Sequence, residues 1–477
     1  MSDTILPAQE LTLDIESPAA GGTSVARHDG QVVFVTGALP GEKVRARTEA
    51  GPAAKFLRAD VIEVLEASPH RVSDRRAAYA VSGLGGGGTT TGFGGRAAAG
   101  FDGAAAGFGG ATAGFDGAAA GFDGAAAGFG GMEYAHVDLA HSRTLKAEVL
   151  NDQLARIGHI DRQAEVLPAP NEADGTDWRT RVQLAVDAEG RPGMLAPRSH
   201  DVIPVTTPPL AAGPLHDLDV AALRVPGVRR LEFAWSGDHG ALIVRGPATS
   251  QAVAEIDAWL PDSFSLLAEA AETGGRRQRQ RGRRRGPVHP ELAVVRGRRT
   301  LTETVSGREF TVAADGFWQV HRDAAELLSS EVVAAVPDRV ESLTDLYCGV
   351  GVLGITAARA TGAPLFGVEG VGPAIEHARE NAADIDARFL TLNVDRVRLP
   401  DSDVIILDPP RAGAGKTVTS GLIDSSASTL VYVSCDPATL ARDLARLTAG
   451  GFAIESLTGF DLFPLTSHLE TVTVLRR

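Results

Sequence analysis

The sequence predicts an α/β protein with a Rossmann-like sheet at its C-terminal end, a small OB-like β-barrel at its N-terminal end and a mainly β domain between them. Three patterns lead to this prediction: short alternating runs in 9–66, a second series in 178–245, and regular alternation of strands and helices from about 301. A length of 477 residues fits three domains, because one domain typically takes about 150 residues. We therefore divide the chain into 1–66, 67–131, 132–300 and 301–477.

The N-terminal segment has the pattern of a small barrel. The runs LTLDI, QVVFV, KVRAR and ADVIEVL alternate with period two, and Asp29-Gly30 stands where a hairpin turn is expected. Short strands at this spacing are typical of small barrels, many of which bind nucleic acid.

Two segments differ in composition from the rest of the chain. Residues 81–131 contain phenylalanines at 93, 101, 108, 115, 122 and 129 in repeats close to GFDGAAA, and glycine recurs too often for a coiled coil. We interpret 67–131 as a linker that carries a disordered, low-complexity insertion. Residues 276–299 hold ten arginines and a single acid, although the net charge of the chain is −14. Such a loop is suited to contact phosphates, and a purely solvated loop is the alternative.

Composition also indicates in which compartment the protein acts and which kinds of cysteine site it lacks. The chain has no run of about 18 apolar residues, and its start lacks the charged head and apolar stretch of a secretory signal. We therefore expect a cytoplasmic protein that does not contact a membrane. Its two cysteines, Cys348 and Cys435, are too few for a disulfide scaffold or a four-cysteine metal site. We expect no metal site and a monomeric protein.

The C-terminal domain has the element order of a doubly wound sheet. The candidate strands are ESLTDLY, PLFGVE, ARFLTLNV, SDVIILD, TLVYVS, FAIESLTGF and HLETVTVLRR, and helices such as GPAIEHARENAADI and PATLARDLARL lie between them. Strands separated by helices imply a parallel sheet covered on both faces. Ligands of such sheets bind at the carboxyl ends of the strands.

The first of these strands ends in a glycine-rich loop, DLYCGVGVLG, which begins at Asp345. Its glycines let the backbone turn tightly and approach a ligand, and Asp345 suits a cationic or amino-bearing cofactor. Glu369 ends the second strand, where it can accept hydrogen bonds from ribose hydroxyls. Dinucleotide-dependent dehydrogenases share this pattern, so the loop alone leaves the cofactor open.

The fourth strand ends in Asp408-Pro409-Pro410-Arg411. Two prolines after a buried acid form a rigid corner, which fits gripping a flat base beside a methyl donor better than it fits a nicotinamide. By itself this corner suits methylation of an exocyclic amine equally well.

A cysteine follows the fifth strand in the run Ser434-Cys435-Asp436-Pro437, and a helix is predicted to start at the proline. The positive end of a helix dipole favours a thiolate, and we expect this of Cys435. Carbon methylation needs such a group, because C5 of uracil becomes nucleophilic only after something has added to C6. Methylation of an amine does not need it.

The proton on C5 must leave after methyl transfer, which requires a general base. Glu470 begins the last strand near the same sheet edge. His468 lies two residues earlier on the same face and competes for this role.

Together these motifs resemble the family of RNA uracil-5 methyltransferases. The matches are GFWQV, DLYCGVG, Glu369, DPPRAG, YVSCDPATLARD and DLFPLTSHLETV, in the order and spacing of the family, and 9–66 resembles the TRAM barrel of several members. The resemblance implies a class I methyltransferase sheet with S-adenosylmethionine as cofactor. It implies that Cys435 is the nucleophile and that Glu470, rather than His468, is the base. The residues that it assigns to the cofactor are Gln319, Tyr347, Glu369 and Asp408.

The resemblance also implies a reaction and a partner, namely 5-methyluridine formation in structured RNA. The barrel favours 23S ribosomal RNA over transfer RNA. Many members hold an iron–sulfur cluster, but the corresponding stretches here, SDRRAAYAVSGLGGGG and Pro208-Pro209-Leu210, contain no cysteine, so we expect no cluster. The acid that members often carry on the third strand corresponds to Asn393 or Asp395. The alternative functions are 5-methyluridine formation in transfer RNA, amine methylation and a noncatalytic RNA-binding factor.

Overall fold

The computed structural model describes residues 5–52, 55–81, 128–269 and 291–477. Most of the GFDGAAA repeats and the arginines of 276–285 lie outside the described residues. Within these ranges the chain forms a closed barrel, a seven-stranded central sheet and an eight-stranded C-terminal sheet. The described helices include none that is long and apolar enough to cross a bilayer.

The N-terminal part consists of strands only: β1 (Ile5–Leu6), β2 (Glu10–Ala19), β3 (Thr23–His28), β4 (Gln31–Thr36), β5 (Lys43–Thr48), β6 (Gly51–Pro52) and β7 (Phe56–Glu66). Five of them close into a barrel in the order β2-β3-β4-β7-β5. Asp29 and Gly30 have φ values of 49° and 78° in the β3–β4 turn, the left-handed conformation that tight hairpins require. The predicted barrel is therefore confirmed.

The segments that flank the repeats pack against the central domain, unlike the linker predicted for 67–131. Tyr79 and Phe129 are both buried, with ring centroids 6.3 Å apart, and the Leu210 backbone N–H donates to the Tyr79 hydroxyl over 3.3 Å. The Val72 N–H donates to the carbonyl of His136 over 2.9 Å, which ties the two segments together. The described ends of the predicted linker are thus ordered. Local composition did not indicate this, because the partners come from distant parts of the chain.

The middle of the chain begins with a helix and a short strand and continues mainly as β structure. Its elements are α1 (Leu139–Arg156), β8 (Val166–Pro168), β9 (Arg181–Val186), β10 (Pro192–Leu195), β11 (Val202–Pro204), β12 (Arg230–Ser236), β13 (His239–Arg245), α2 (Ser250–Trp259), β14 (Phe264–Glu269), β15 (Leu292–Arg296), β16 (Thr300–Val305), β17 (Arg308–Ala313) and α3 (Ala324–Ala335). The central sheet has the order β11-β10-β9-β12-β13-β14-β15, and β16 pairs with β17 as a separate hairpin. The mainly β middle domain is confirmed.

The C-terminal part alternates strands and helices: β18 (Leu343–Leu346), α4 (Val352–Thr361), β19 (Leu365–Glu369), α5 (Gly372–Asn381), β20 (Ala387–Thr391), β21 (Val404–Leu407), α6 (Gly415–Asp424), β22 (Thr429–Ser434), α7 (Pro437–Ala449), β23 (Ala453–Asp461) and β24 (Glu470–Arg476). Short 3₁₀ turns occur at Arg75–Tyr79, Gly213–Leu215, Val220–Ala222 and Val394–Arg396. The sheet order is β20-β19-β18-β21-β22-β24-β23-β8. Strands β18 to β22 are parallel, whereas β24 is antiparallel to both of its neighbours.

The boundary predicted at residue 300 does not hold for α1 and β8. Strand β8 pairs with β23 in parallel, so it extends the C-terminal sheet, and α1 packs on α7. Leu150 and Leu154 of α1 are buried in the same core as Leu440 and Leu444 of α7. Pairing across almost 300 residues leaves no trace in the local sequence pattern, which explains the error.

Candidate active site

The residues predicted for the site gather at one edge of the C-terminal sheet. The carboxyl ends of β18, β19, β21 and β22 meet there with the amino end of antiparallel β24. These strand ends carry Tyr347, Glu369, Asp408, Cys435 and Glu470, respectively. Gln319 comes from the loop before α3 and reaches the same edge, because it lines one cleft with Tyr347 and Asp408.

Strand register brings Cys435 and Glu470 together. Ser434 is the partner of Thr471 in the β22–β24 ladder, and the Thr471 hydroxyl donates to the Ser434 carbonyl over 2.9 Å. Cys435 and Glu470 are the next residues outward on the two chains, so the ladder leaves them side by side at its end. The charge of Glu470 acts on the Cys435 thiol and helps to raise its pKa. A thiol and a carboxyl group therefore lie next to each other at this edge of the sheet.

Glu470 is buried and incompletely hydrogen-bonded. Its relative exposure is 3%, and its Oε1 atom has no hydrogen-bond partner among the described residues. Burial, with the nearby charge of Asp408, raises the pKa of Glu470 well above its usual value. Because unpaired buried polar atoms are costly, this oxygen is a candidate contact for a ligand.

The surroundings of Cys435 act against the thiolate that the helix dipole favours. Burial, followed by the charges of Glu470 and Asp408, raises the pKa of Cys435 to about 12. The cap of α7 is Asp436, whose Oδ1 atom accepts the Thr439 N–H over 2.8 Å, so Cys435 lies one residue before the helix cap. Burial and, after it, carboxyl groups that lie outside the local motif thus oppose the helix dipole.

Arg411 opposes these negative charges. Its guanidinium lowers the pKa of both Cys435 and Glu470, although the other causes dominate. Its own backbone is held by α7, since the Thr439 hydroxyl donates to the Arg411 carbonyl over 3.1 Å and Arg442 donates to the Ala412 carbonyl over 2.7 Å. The helix that follows Cys435 therefore also positions the loop that carries Arg411.

His468, the competing base, lies at the same edge with a different partner. Its Nε2 atom is 3.5 Å from the Arg411 guanidinium, and its ring packs edge-on against Phe463. Burial and the charge of Arg411 lower the pKa of His468, so the ring is neutral near pH 7. Both candidates are present, but only Glu470 adjoins Cys435 in the strand ladder.

The main cleft lies beside this pair, with Asp408 in its wall, and spans about 510 Å³ including space that is open to solvent. Its walls come from the loop before α3, the glycine-rich loop and the end of β21; they include Phe317, Trp318, Gln319, Asp345, Tyr347, Gly349 and Asp408. Gly349 and Gly351 have φ values of 54° and 90°, which only glycine adopts at little cost. Burial raises the pKa of Asp408 to about 7 and that of Asp345 to about 8. The cleft thus combines an aromatic wall with two carboxyl groups that would be ionised more readily beside a cation.

Glu369 lies behind the glycine-rich loop rather than in the wall of the cleft. Its Oε2 atom accepts the Gly349 N–H over 3.3 Å, and its Oε1 atom accepts the Val371 N–H over 2.8 Å. Asn393 and Asp395 are exposed just beyond β20, and the charge of Asp395 contributes to the raised pKa of Tyr347. Neither of these two side chains lines the cleft, so the choice between them stays open.

Sequence reasoning missed the residues that support the site from a distance. Arg411 belongs to a motif of the sequence, but the sequence did not show that its charge lowers the pKa of Cys435 and of Glu470. The position of a cation directly after the Pro-Pro corner could have indicated such a role. Lys146 of α1 resembles a surface lysine in the sequence. In the structure its Nζ atom donates to Asp461 over 2.5 Å, and both side chains are fully buried. In the described part of the chain, no three His, Cys, Asp or Glu residues are grouped as a metal site.

Comparison with known proteins gives matches to two family models and to full-length relatives. Residues 387–477 match the family described as tRNA (uracil-5-)-methyltransferase, and residues 7–62 match the TRAM domain. An uncharacterized RNA methyltransferase of Streptomyces avermitilis is 32% identical, with 98% of each chain covered. One of Bifidobacterium longum is 31% identical, with 97% of this chain and 96% of the relative covered.

The overall fold is shared with a solved structure, that of Pyrococcus abyssi tRNA (uracil-54, C5)-methyltransferase in complex with S-adenosyl-L-homocysteine. The TM-score is 0.66 at 19% identity, and the match covers 98% of this chain and 100% of the other. The full-length similarity to RNA methyltransferases, together with the two family matches, establishes what kind of protein this is. The chain belongs to the RNA uracil-5 methyltransferase family.

Proposed function

We propose that this protein forms 5-methyluridine in RNA, with Cys435 as the nucleophile and Glu470 as the general base. The observation that carries this proposal is the pairing of a thiol and a buried carboxyl group at the end of the β22–β24 ladder. Methylation of an exocyclic amine would use Asp408 and the Pro-Pro corner alone. Neither the thiol nor the carboxyl group of this pair would have a role in that reaction.

The cleft suits the charge of S-adenosylmethionine. Asp345 and Asp408 suit its positive charges, and the two left-handed glycines allow the backbone to approach it closely. Gln319 and Tyr347 would contact the cofactor from the cleft wall. Glu369 would contact it beside Gly349, whose N–H it accepts. When bound there, the cofactor supplies an electrophilic methyl group.

The chain's own residues would act in sequence on a uridine flipped out of its stack. The Cys435 sulfur adds to C6 of the ring, which gives C5 the electron density to accept the methyl group. Glu470 then removes the proton from C5, and the bond between sulfur and C6 breaks as the ring regains its double bond. The thiolate is the form of Cys435 that adds to C6, and the guanidinium of Arg411 favours it because its charge lowers the pKa of the thiol.

We infer a structured RNA as the substrate, with ribosomal RNA, specifically 23S, preferred to transfer RNA because of the family resemblance of the N-terminal barrel to the TRAM domain. We expect the protein to act in the cytoplasm. We propose that the protein acts as a monomer. We also propose that it holds no iron–sulfur cluster, because the chain has only two cysteines, which lie in the glycine-rich loop and after β22.

Nucleoside analysis of RNA tests this function. Purified protein with S-adenosylmethionine should add 5-methyluridine to ribosomal RNA from cells that lack the gene, and should add less or none to their transfer RNA. Mapping the modified position would then identify the uridine. A methylated amine on another base, with no 5-methyluridine in either RNA, would contradict the proposal.

A further inference from the structure

The barrel, the chain after the repeats and the loop that precedes Glu470 meet at one point. We call residues 462–469, between β23 and β24, the catalytic loop, and residues 131–138, before α1, the connecting segment. Gly22 lies in the β2–β3 turn of the barrel. A Cβ atom at Gly22 would stand 2.4 Å from Cβ of Glu133 and 3.1 Å from Cβ of Ser467. No side chain fits there without displacing the connecting segment or the catalytic loop.

Glu133 joins the connecting segment to the catalytic loop by hydrogen bonds. Its Oε2 atom accepts the Ser467 N–H over 3.2 Å, and its Oε1 atom accepts the Gly131 N–H over 3.0 Å. Next to it, the Tyr134 N–H donates to the carbonyl of Leu465 over 3.0 Å. Leu465 has a φ of 64°, a conformation that a branched side chain adopts only when its surroundings hold it there.

The start of the catalytic loop is held by α1. Lys146 pairs with Asp461 at the end of β23 and also donates to the Phe463 carbonyl over 3.0 Å. Removing one member of a fully buried ion pair leaves an uncompensated charge, so this attachment is strong. The catalytic loop is therefore fixed at its start by α1. Near its end it is fixed by Glu133, which binds Ser467, the residue three positions before Glu470.

The barrel is itself attached firmly to the connecting segment. Arg71, whose backbone forms a bridge with Val137 of the connecting segment, donates to both carboxylate oxygens of Glu42 in the barrel, each over 2.6 Å, and Glu42 is 1% exposed. Leu39 of the barrel packs in one core with Tyr134. A displacement of the barrel would consequently reach the catalytic loop through rigid contacts.

We propose that the barrel positions the catalytic loop through Gly22 and Glu133, and so contributes to the rate of methyl transfer as well as to RNA affinity. The inference rests on the proposed function, because the reaction at Cys435 and Glu470 provides its readout. Gly22 and Glu133 are positioning residues: they act through Ser467, which adjoins His468 and precedes Glu470 by three residues.

Two neighbouring glycines provide a matched test. Gly21 and Gly22 have φ values of 78° and 75°, so G21A and G22A carry similar backbone strain, but a Cβ at Gly21 would meet nothing within 4 Å. The single-turnover rate at saturating RNA and cofactor is measured beside the dissociation constant for RNA. We expect G22A to lower the rate on the order of tenfold to a hundredfold, as small displacements of a reacting group do, without weakening RNA binding. G21A should leave both quantities near those of the wild type.

A second pair covers the case in which G22A does not fold. E133A removes the hydrogen bond to Ser467, and its control is E148A, an exposed acid on α1. E133A should lower the rate and not the affinity, and E133Q, which keeps one acceptor oxygen, should recover part of it. Equal rates for G21A and G22A, or for E133A and E148A, would overturn the inference while the function stands. A change in affinity alone would also overturn it, whereas a wild type that forms no 5-methyluridine overturns both.

Discussion

The variant C435A should lose methyl transfer to RNA by roughly 10⁴- to 10⁶-fold, the range seen when members of a catalytic triad in a covalent enzyme are removed singly. The reason is chemical: without the sulfur, nothing adds to C6 and C5 has too little electron density to take a methyl group. Transfer of labelled methyl groups from S-adenosylmethionine to RNA, followed by nucleoside analysis, measures the loss.

The control for C435A is the integrity of its cofactor site. Cys435 is only partly buried and does not line the main cleft, so the variant should fold and bind S-adenosyl-L-homocysteine like the wild type. A folded C435A that keeps most of its activity would instead favour methylation of an amine through Asp408. A wild type that binds RNA but no cofactor would favour a noncatalytic factor.

The variant E470Q should fail at a later step. Glutamine fills the same space but cannot remove the C5 proton, so turnover should fall by about 10²- to 10⁴-fold, the usual contribution of a general base. Addition and methylation precede that step, and a methylated RNA should therefore accumulate in covalent linkage with the protein. Denaturing electrophoresis with labelled RNA or labelled cofactor detects this species.

Two further variants make the E470Q result specific. E376Q changes an exposed acid on α5 and should turn over normally without trapped RNA. H468Q removes the competing base and should also leave turnover largely intact. If trapped RNA accumulates with H468Q and not with E470Q, the roles of His468 and Glu470 are exchanged.

The positions of the strand ends could be predicted from the sequence because each motif directly follows an apolar run. Asp408 and Cys435 both come after parallel strands, and the carboxyl ends of such strands share one sheet edge. The antiparallel entry of β24 brings Glu470 to the same edge at its amino end, and the resemblance alone had favoured it over His468. The strand register supplies a physical reason for that preference.

What escaped prediction depends on contacts between distant residues. Strand β8 joins β23, and Lys146 pairs with Asp461 across 315 positions, so neither feature has a local pattern. The raised pKa of Cys435 was not predicted for the same reason, because it comes from burial in the folded protein and from acids on β24 and after β21. A motif names the groups of a site, but the balance among their charges depends on the fold.

The most direct measurement of the central claim uses RNA in which 5-fluorouridine replaces uridine. A base can remove a proton from C5 but cannot remove fluorine in the same way. The bond between the protein and C6 should therefore persist once the methyl group has been transferred. We expect a stable adduct that requires S-adenosylmethionine, with the RNA attached to Cys435 when the peptide is identified by mass spectrometry. Absence of any adduct with folded, RNA-binding protein, or attachment at a residue other than Cys435, would contradict the account.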